Sequence, residues 1–155
     1  MKRTIALLLT LTAFLCLCAC GSPGTGDPGM EKVSAAVTAV ADNENMQPIP
    51  DSYMQNMMQI DPSMYDEVTT GISKVGTCID EYGVFRTADP AALADALNAY
   101  LEFREEVWMV EYLPEEHPKL QNAKVWTVGS YVMYAILDAD TMSAAEIAFK
   151  GCFEG

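Results

Sequence analysis

The side chains able to do chemistry are few in kind. The 155-residue chain has one histidine, His117, and five cysteines. A lone histidine excludes histidine-rich zinc sites and any mechanism run by a histidine pair. A cysteine nucleophile would need Cys78 or Cys152 beside His117, and neither cysteine stands in a recognisable nucleophile context. No glycine-rich loop follows a strand to cradle phosphate, and no serine sits in a nucleophile-elbow phrase. Carboxylates are plentiful, with 22 Asp and Glu in the chain. Asp80-Glu81 and Glu105-Glu106 are adjacent pairs. A glycosidase pair needs a fixed separation across a cleft, and a calcium site needs a cage of several oxygens. Asp138-Ala139-Asp140 lacks the rest of a calcium loop. Solvated surface charge is the simpler reading of all of them. No metal site and no cofactor is expected.

Two further sets stand out. Arg104 falls on the same helical series as Leu93, Leu97, Tyr100, Val107 and Trp108. A long side chain there can snorkel to solvent. The sharper alternative is an internal Arg104 forked onto a carboxylate of the adjoining strand, Glu81 or Asp80, with Glu81 the chosen partner. The aromatic residues Trp108, Trp126 and Tyr131 come from a long helix and a hairpin. If exposed together they would suit a sugar or peptide ligand; such residues are more often core with one polar tip satisfied.

The elements that must position these residues follow from periodicity. Val33, Val37 and Val40 predict a helix over Met30 to Ala41. Asp51 predicts the cap of a short helix, Ser52 to Gln59, with Met54, Met57 and Met58 on one buried side. Thioether sulfur also suits copper, but methionine at this spacing reads as gap-filling core. Asp61-Pro62 predicts one further turn. Strands are expected at 67–72 and 77–87, joined by a turn at 73–76. Ala88-Asp89-Pro90 starts a helix running to about Val110. Lys124 to Val128 alternates as a strand, Gly129-Ser130 turns, and Tyr131 to Leu137 is an apolar strand covered on both faces. A last helix spans Thr141 to about Lys150. Helices, then strand–strand–helix twice, predict an α+β fold: one antiparallel sheet of two β-hairpins with the helices packed on one face.

The first residues have a different character. Lys2 and Arg3 are cationic, and Ile5 to Leu17 is an apolar run broken only by Thr10 and Thr12. That is short for a membrane-spanning helix, which needs ~20 apolar residues, and suits a secretory signal. Leu17-Cys18-Ala19-Cys20-Gly21 then resembles the lipobox of bacterial lipoproteins. The resemblance implies cleavage before Cys20 and a lipid on its sulfur. Cys18 departs from the usual small residue of that position. Ser22 to Gly29 is rich in Gly, Pro and Ser and reads as a tether without packing capacity. Two acyl chains at ~0.8 kcal/mol per buried methylene suffice for stable attachment. The expected division is a signal over 1–19, a lipidated cysteine and tether over 20–29, and one domain over 30–155.

Charge narrows the partners. The formal net charge is −13, and loss of Lys2 and Arg3 with the signal makes the remainder more acidic by two. Such a surface repels phosphate backbones and anionic headgroups, so nucleic acid is not an expected partner. Contact with the membrane is expected through the N-terminal lipid. Only Cys78 and Cys152 remain in the expected domain, either as a disulfide or as separate thiols.

Several phrases in this order resemble a family of uncharacterised bacterial lipoproteins, domain of unknown function 4358. They are Asp80-Glu81-Tyr82-Gly83-Val84-Phe85, Arg104, Tyr112-Leu113-Pro114-Glu115, Leu120 to Val125, and the turn at Gly129 to Val132. The resemblance covers roughly Val33 to the end and implies a domain anchored to the cell membrane on its extracytoplasmic face. It implies no activity. The expected function is a non-enzymatic binding or interaction module for an unknown protein or small ligand. The alternatives are an accessory solute-binding lipoprotein for a sugar or peptide and, least supported, a hydrolase using Asp80, Glu81 or Glu106.

Overall fold

The computed structural model describes residues 26–109 and 111–154. The expected signal and Cys20 lie outside the described residues. Within them the order is α1 (Met30–Ala41), β1 (Met46–Gln47), α2 (Asp51–Asn56), a single 3-10 turn (Pro62–Met64), β2 (Glu67–Ser73), β3 (Glu81–Arg86), α3 (Pro90–Glu106), α4 (His117–Gln121), β4 (Lys124–Val128), β5 (Tyr131–Ile136) and α5 (Ala139–Gly151). The strands form one antiparallel sheet in the order β1-β2-β3-β5-β4. The α+β class and the two hairpins are as expected. Several elements differ: α2 already starts at Asp51, with Pro50 in the cap position and no side-chain cap, and ends at Asn56. The strand begun at Thr77 starts only at Glu81, because Ser73 to Asp80 closes as a wider loop with a Ser73 N–H to Asp80 carbonyl bond of 2.9 Å. The two-residue β1 and the short α4 were not expected.

The helices cover both faces of the sheet, which corrects the one-face expectation. On one face Tyr82, Val84, Trp126, Met133 and Ala135 pack with α1 and α5. On the other, Phe85, Val132, Tyr134 and Ile136 pack with α2, α3 and Leu120 of α4. The cause lies in the central strands. All six residues of β5 and five of the six in β3 are buried, so each presents apolar side chains in both directions. A strand of that kind is stable only when both faces are covered.

Local signals set the ends. Asp89 caps α3 by accepting from the Ala92 N–H at 3.0 Å, with Pro90 at the first helical position. Asp138 caps α5 through the Asp140 and Thr141 N–H groups. Asp61 does the same for the 3-10 turn through Ser63. In α1 the buried stripe is Met30, Val33, Val37 and Ala41, and Val40 is outside it. Met54 and Met58 are buried, but Met57 is 44% exposed, a correction to the expected three-methionine core face.

The expected tether is held at its far end. The Tyr131 hydroxyl donates to Asp27 at 2.5 Å, and Arg86 reaches Asp27 at 2.7 Å and Glu67 at 2.8 Å. Burial and the Asp27 carboxylate push the Tyr131 hydroxyl up to about 12. Asp27 gives the described end of the expected tether, residues 26–29, a packing role the composition did not suggest. Cys78 and Cys152 are both free thiols: Cys78 lies in the β2–β3 loop, and Cys152 closes α5 and donates to the Ala148 carbonyl.

Candidate functional site

Glu81 opens β3 and is fully buried. The sheet alternation turns it, with Gly83 and Phe85, toward the α2–α3 layer. Its partner on β5 is Ile136, and Tyr134 stands two residues along the same strand, opposite Gly83. Arg104 and Tyr100 share one side of α3, four residues apart. Tyr53 comes from α2.

These side chains converge. The Tyr134 hydroxyl donates to Glu81 Oε1 at 2.6 Å. The Tyr100 hydroxyl reaches Oε1 at 2.9 Å and Oε2 at 3.1 Å. Arg104 Nη1 lies 3.1 Å from Oε2, 2.6 Å from the Tyr100 oxygen and 3.0 Å from the Tyr53 oxygen. The Tyr53 and Tyr100 hydroxyls are 3.0 Å apart. Because Tyr53 accepts from Arg104, its own proton is free for Tyr100. Burial, followed by the charge of Glu81, pushes the Tyr100 and Tyr134 hydroxyls well above the ordinary tyrosine range, so they stay donors. Burial alone would lower Arg104; the facing Tyr100 and Glu81 oxygens more than offset this and keep it cationic. For Glu81, burial raises the carboxyl above its usual range, and Arg104 and the two hydroxyls pull the other way.

Over this cluster lies a groove of about 350 Å³ between α2 and α3. Its lining is mostly apolar: Met57, Met58, Ala96, Ala99, Tyr100 and Phe103, with Asn56 and Gln59 at one end. Tyr100 belongs to both, its ring in the groove and its hydroxyl on Glu81. Gln59 holds a left-handed backbone, φ 56°, and its side-chain amide donates to the Asn56 carbonyl at 2.7 Å. Apolar pockets of this size with a few polar groups are the usual form of ligand sites.

Matches to families and proteins known from elsewhere bear on the same segment. The family model described as Domain of unknown function (DUF4358) matches residues 39–137, which include every residue of the cluster and the groove. The chain belongs to this DUF4358 family. No curated protein and no solved structure matches it.

The DUF4358 segment thus places Arg104 on Glu81. The remaining sequence-selected residues are scattered. Trp126 and Tyr131 are buried in the α1–α5 layer. Trp108 packs at the edge of the opposite layer, stacked on His117 with ring planes 5° apart. The three aromatic residues therefore do not share a pocket. Asp80 is engaged by Lys119 at 2.7 Å, and Glu106 lines a separate hollow of about 520 Å³ with Glu102 and Glu105.

A second polar knot was not expected. Cys78, Asp80 and Glu116 bring one ligand-type atom each within 4.8 Å of one another. Lys119 Nζ stands among them, 2.7 Å from Asp80, 2.9 Å from Glu116 and 3.9 Å from Cys78 Sγ. Its ammonium takes the place a cation would have. Glu116 also accepts from the Ile79 N–H at 2.9 Å, so Lys119 neutralises a carboxylate that fixes the β2–β3 loop. Lys119→Ala is expected to cost about 1–3 kcal/mol through two part-buried carboxylates left facing each other. Urea titration checks the size, and hydrogen exchange at Ile79 should rise with it.

Proposed function

We propose that this chain is a lipoprotein held by Cys20 at the extracytoplasmic face of the cell membrane, and that its folded domain is a non-enzymatic binding module. The α2–α3 groove carries the binding reading. It is concave, apolar and backed by a cluster that fixes Tyr100, which supplies a preformed wall at low ordering cost. Glu81, Arg104 and three tyrosine hydroxyls are spent on one another beneath that wall. No helix among the described residues is long and apolar enough to cross a membrane, and the phrase Leu17-Cys18-Ala19-Cys20 supports the lipid as the means of attachment.

Two measurements test the two halves. Cells fed an alkyne fatty acid should label the wild-type chain and Cys18→Ala, and Cys20→Ala should lose the label entirely. A label that survives in Cys20→Ala sinks the anchor. For the groove, a neutral solvatochromic dye should bind the full chain in phosphatidylcholine nanodiscs, above empty nanodiscs. Ala99→Trp, which fills the trough with an indole, should weaken that binding at least tenfold. An unchanged dye affinity would move the binding site elsewhere.

A further inference from the structure

We infer that the occupant of the α2–α3 groove is a basic amphipathic helix from another polypeptide, its apolar stripe laid along α3. This rests on the binding-module reading and adds the chemical class of the partner. The first support is the shape of the stripe. Ala96, Ala99 and Phe103 of α3, and Val107 at its C-cap, recur at three- and four-residue steps, the spacing at which helical side chains line up. Phe103 and Val107 are 42% and 54% exposed, and Met57, which lines the groove together with Phe103, is 44% exposed. The two alanines form a trough with no long side chain, which allows a second helix to approach closely. An exposed stripe of this kind beside a groove matches helix-in-groove recognition, read through anchors at i, i+3/i+4 and i+7.

Charge selects among the occupants. Asp95, Glu102 and Glu106 follow one another at seven- and four-residue steps, forming a single acidic line on α3 beside the stripe. All three are exposed. Asp51 at the start of α2 and Asp61 at the cap of the 3-10 turn are also exposed and add no positive charge to this region. The only Lys or Arg in α2, α3 or the 3-10 turn is Arg104, and it is turned inward onto Glu81. The exposed α3 side of the groove is therefore negative, with no cation from these elements to balance it. A second copy of the chain would bring an equally acidic rim against this one. An anionic bilayer surface would be repelled as well. A helix with Leu-type anchors and Lys or Arg on its flanks satisfies both the stripe and the rim, and like-charge rejection of acidic helices gives specificity.

The test uses the full chain in phosphatidylcholine nanodiscs, with empty nanodiscs subtracted, and two labelled synthetic helices. One has leucines at i, i+3, i+4 and i+7 with lysines elsewhere; the other keeps the leucines and carries glutamates. Fluorescence anisotropy should show the Leu/Lys helix binding at least tenfold tighter than the Leu/Glu helix. The preference should shrink as salt shortens the screening length. Asp95→Lys with Glu102→Lys should reduce Leu/Lys affinity at least tenfold and leave the neutral dye bound as before. Ala99→Arg should abolish both, with an unchanged circular dichroism spectrum. Equal binding of the two helices, or no effect of the Asp95/Glu102 pair, overturns the inference. So does a concentration-dependent dimer in sedimentation that Ala99→Arg dissolves. If the dye binds and neither helix does, the partner class fails and the binding module stands; if nothing binds, both fail.

Discussion

Arg104→Met is expected to lower stability by about 3–5 kcal/mol at neutral pH, the usual loss when one member of a buried ion pair is removed. Methionine keeps the length and apolar stem of the arginine and removes only its charge and donors. Glu81 would keep the Tyr134 and Tyr100 hydroxyls but lose the cation bound to it, 3.1 Å away. The direction with pH follows from the Glu81 carboxyl, which burial already places above its unfolded value of ~4.3. A carboxyl raised in the folded state holds a proton there that the unfolded chain has released. Its contribution to stability is full below the unfolded pKa and is lost as pH rises through the folded one. Without Arg104 the folded value climbs further, so the lost stability spreads over a wider and higher pH window. Urea titrations should show the gap between wild type and Arg104→Met growing from pH 5 to pH 8. Within the window between the two folded pKa values, each pH unit should widen it by ~1.4 kcal/mol. Adding Glu81→Gln to Arg104→Met should recover part of the loss at pH 8 and little at pH 5. An equal loss at both pH values would mean that Arg104 does not balance an ionised Glu81.

The pairing itself was legible because two independent patterns met. Arg104 lies in register with the apolar face of α3, and Glu81 opens a strand expected to adjoin it. The rest of the cluster was not legible. Tyr53, Tyr100 and Tyr134 belong to α2, α3 and β5, and periodicity places each on a buried face without saying which hydroxyl meets which oxygen. Helix placement failed for a related reason. Tyr131 to Leu137 read as a strand covered on both faces, but pairing each hairpin with its following helix put α3 and α5 on one face. The long α1, which packs on α5, had no strand partner in that scheme. The groove was hidden because Met57 and Met58 are neighbours in sequence and opposite in burial, 44% against 1%. The short α2 ends at Asn56, and the left-handed Gln59 turns the chain there. Gly83 marks a close approach of the β3 backbone to the Tyr134 ring, and it bears directly on the cluster.

Gly83→Ala should be the most damaging single methyl group that can be added to this sheet's α2–α3 face. Gly83 lies opposite Tyr134 on β5 and between Glu81 and Phe85 on its own strand. A Cβ built there would stand 2.6 Å from Tyr134 Cε1 and 2.8 Å from Phe85 Cε2. Both rings are fully buried, so neither can swing into solvent. Tyr134 is also bound at its tip, where its hydroxyl donates to Glu81 at 2.6 Å. The added methyl must lift the ring, and lifting the ring draws the hydroxyl off the carboxylate. Overpacking costs about 1–3 kcal/mol, and losing a hydrogen bond to a charged group adds about 1.5–3. The expected total exceeds ~3 kcal/mol, which for a domain of this size lowers the melting temperature by on the order of 10 °C. Tyr134→Phe separates the two parts: it removes the hydroxyl and leaves the ring, and should cost only the hydrogen-bond share. Tyr134→Val removes the ring, so Gly83→Ala introduced into that background should cost at least ~1 kcal/mol less than in wild type. Strict additivity in that cycle would show that the ring contact is not what excludes a side chain at position 83. The coupling, if present, means that the backbone of β3 holds the Glu81 carboxylate in place through the ring of Tyr134, and with it the Tyr100 wall of the groove.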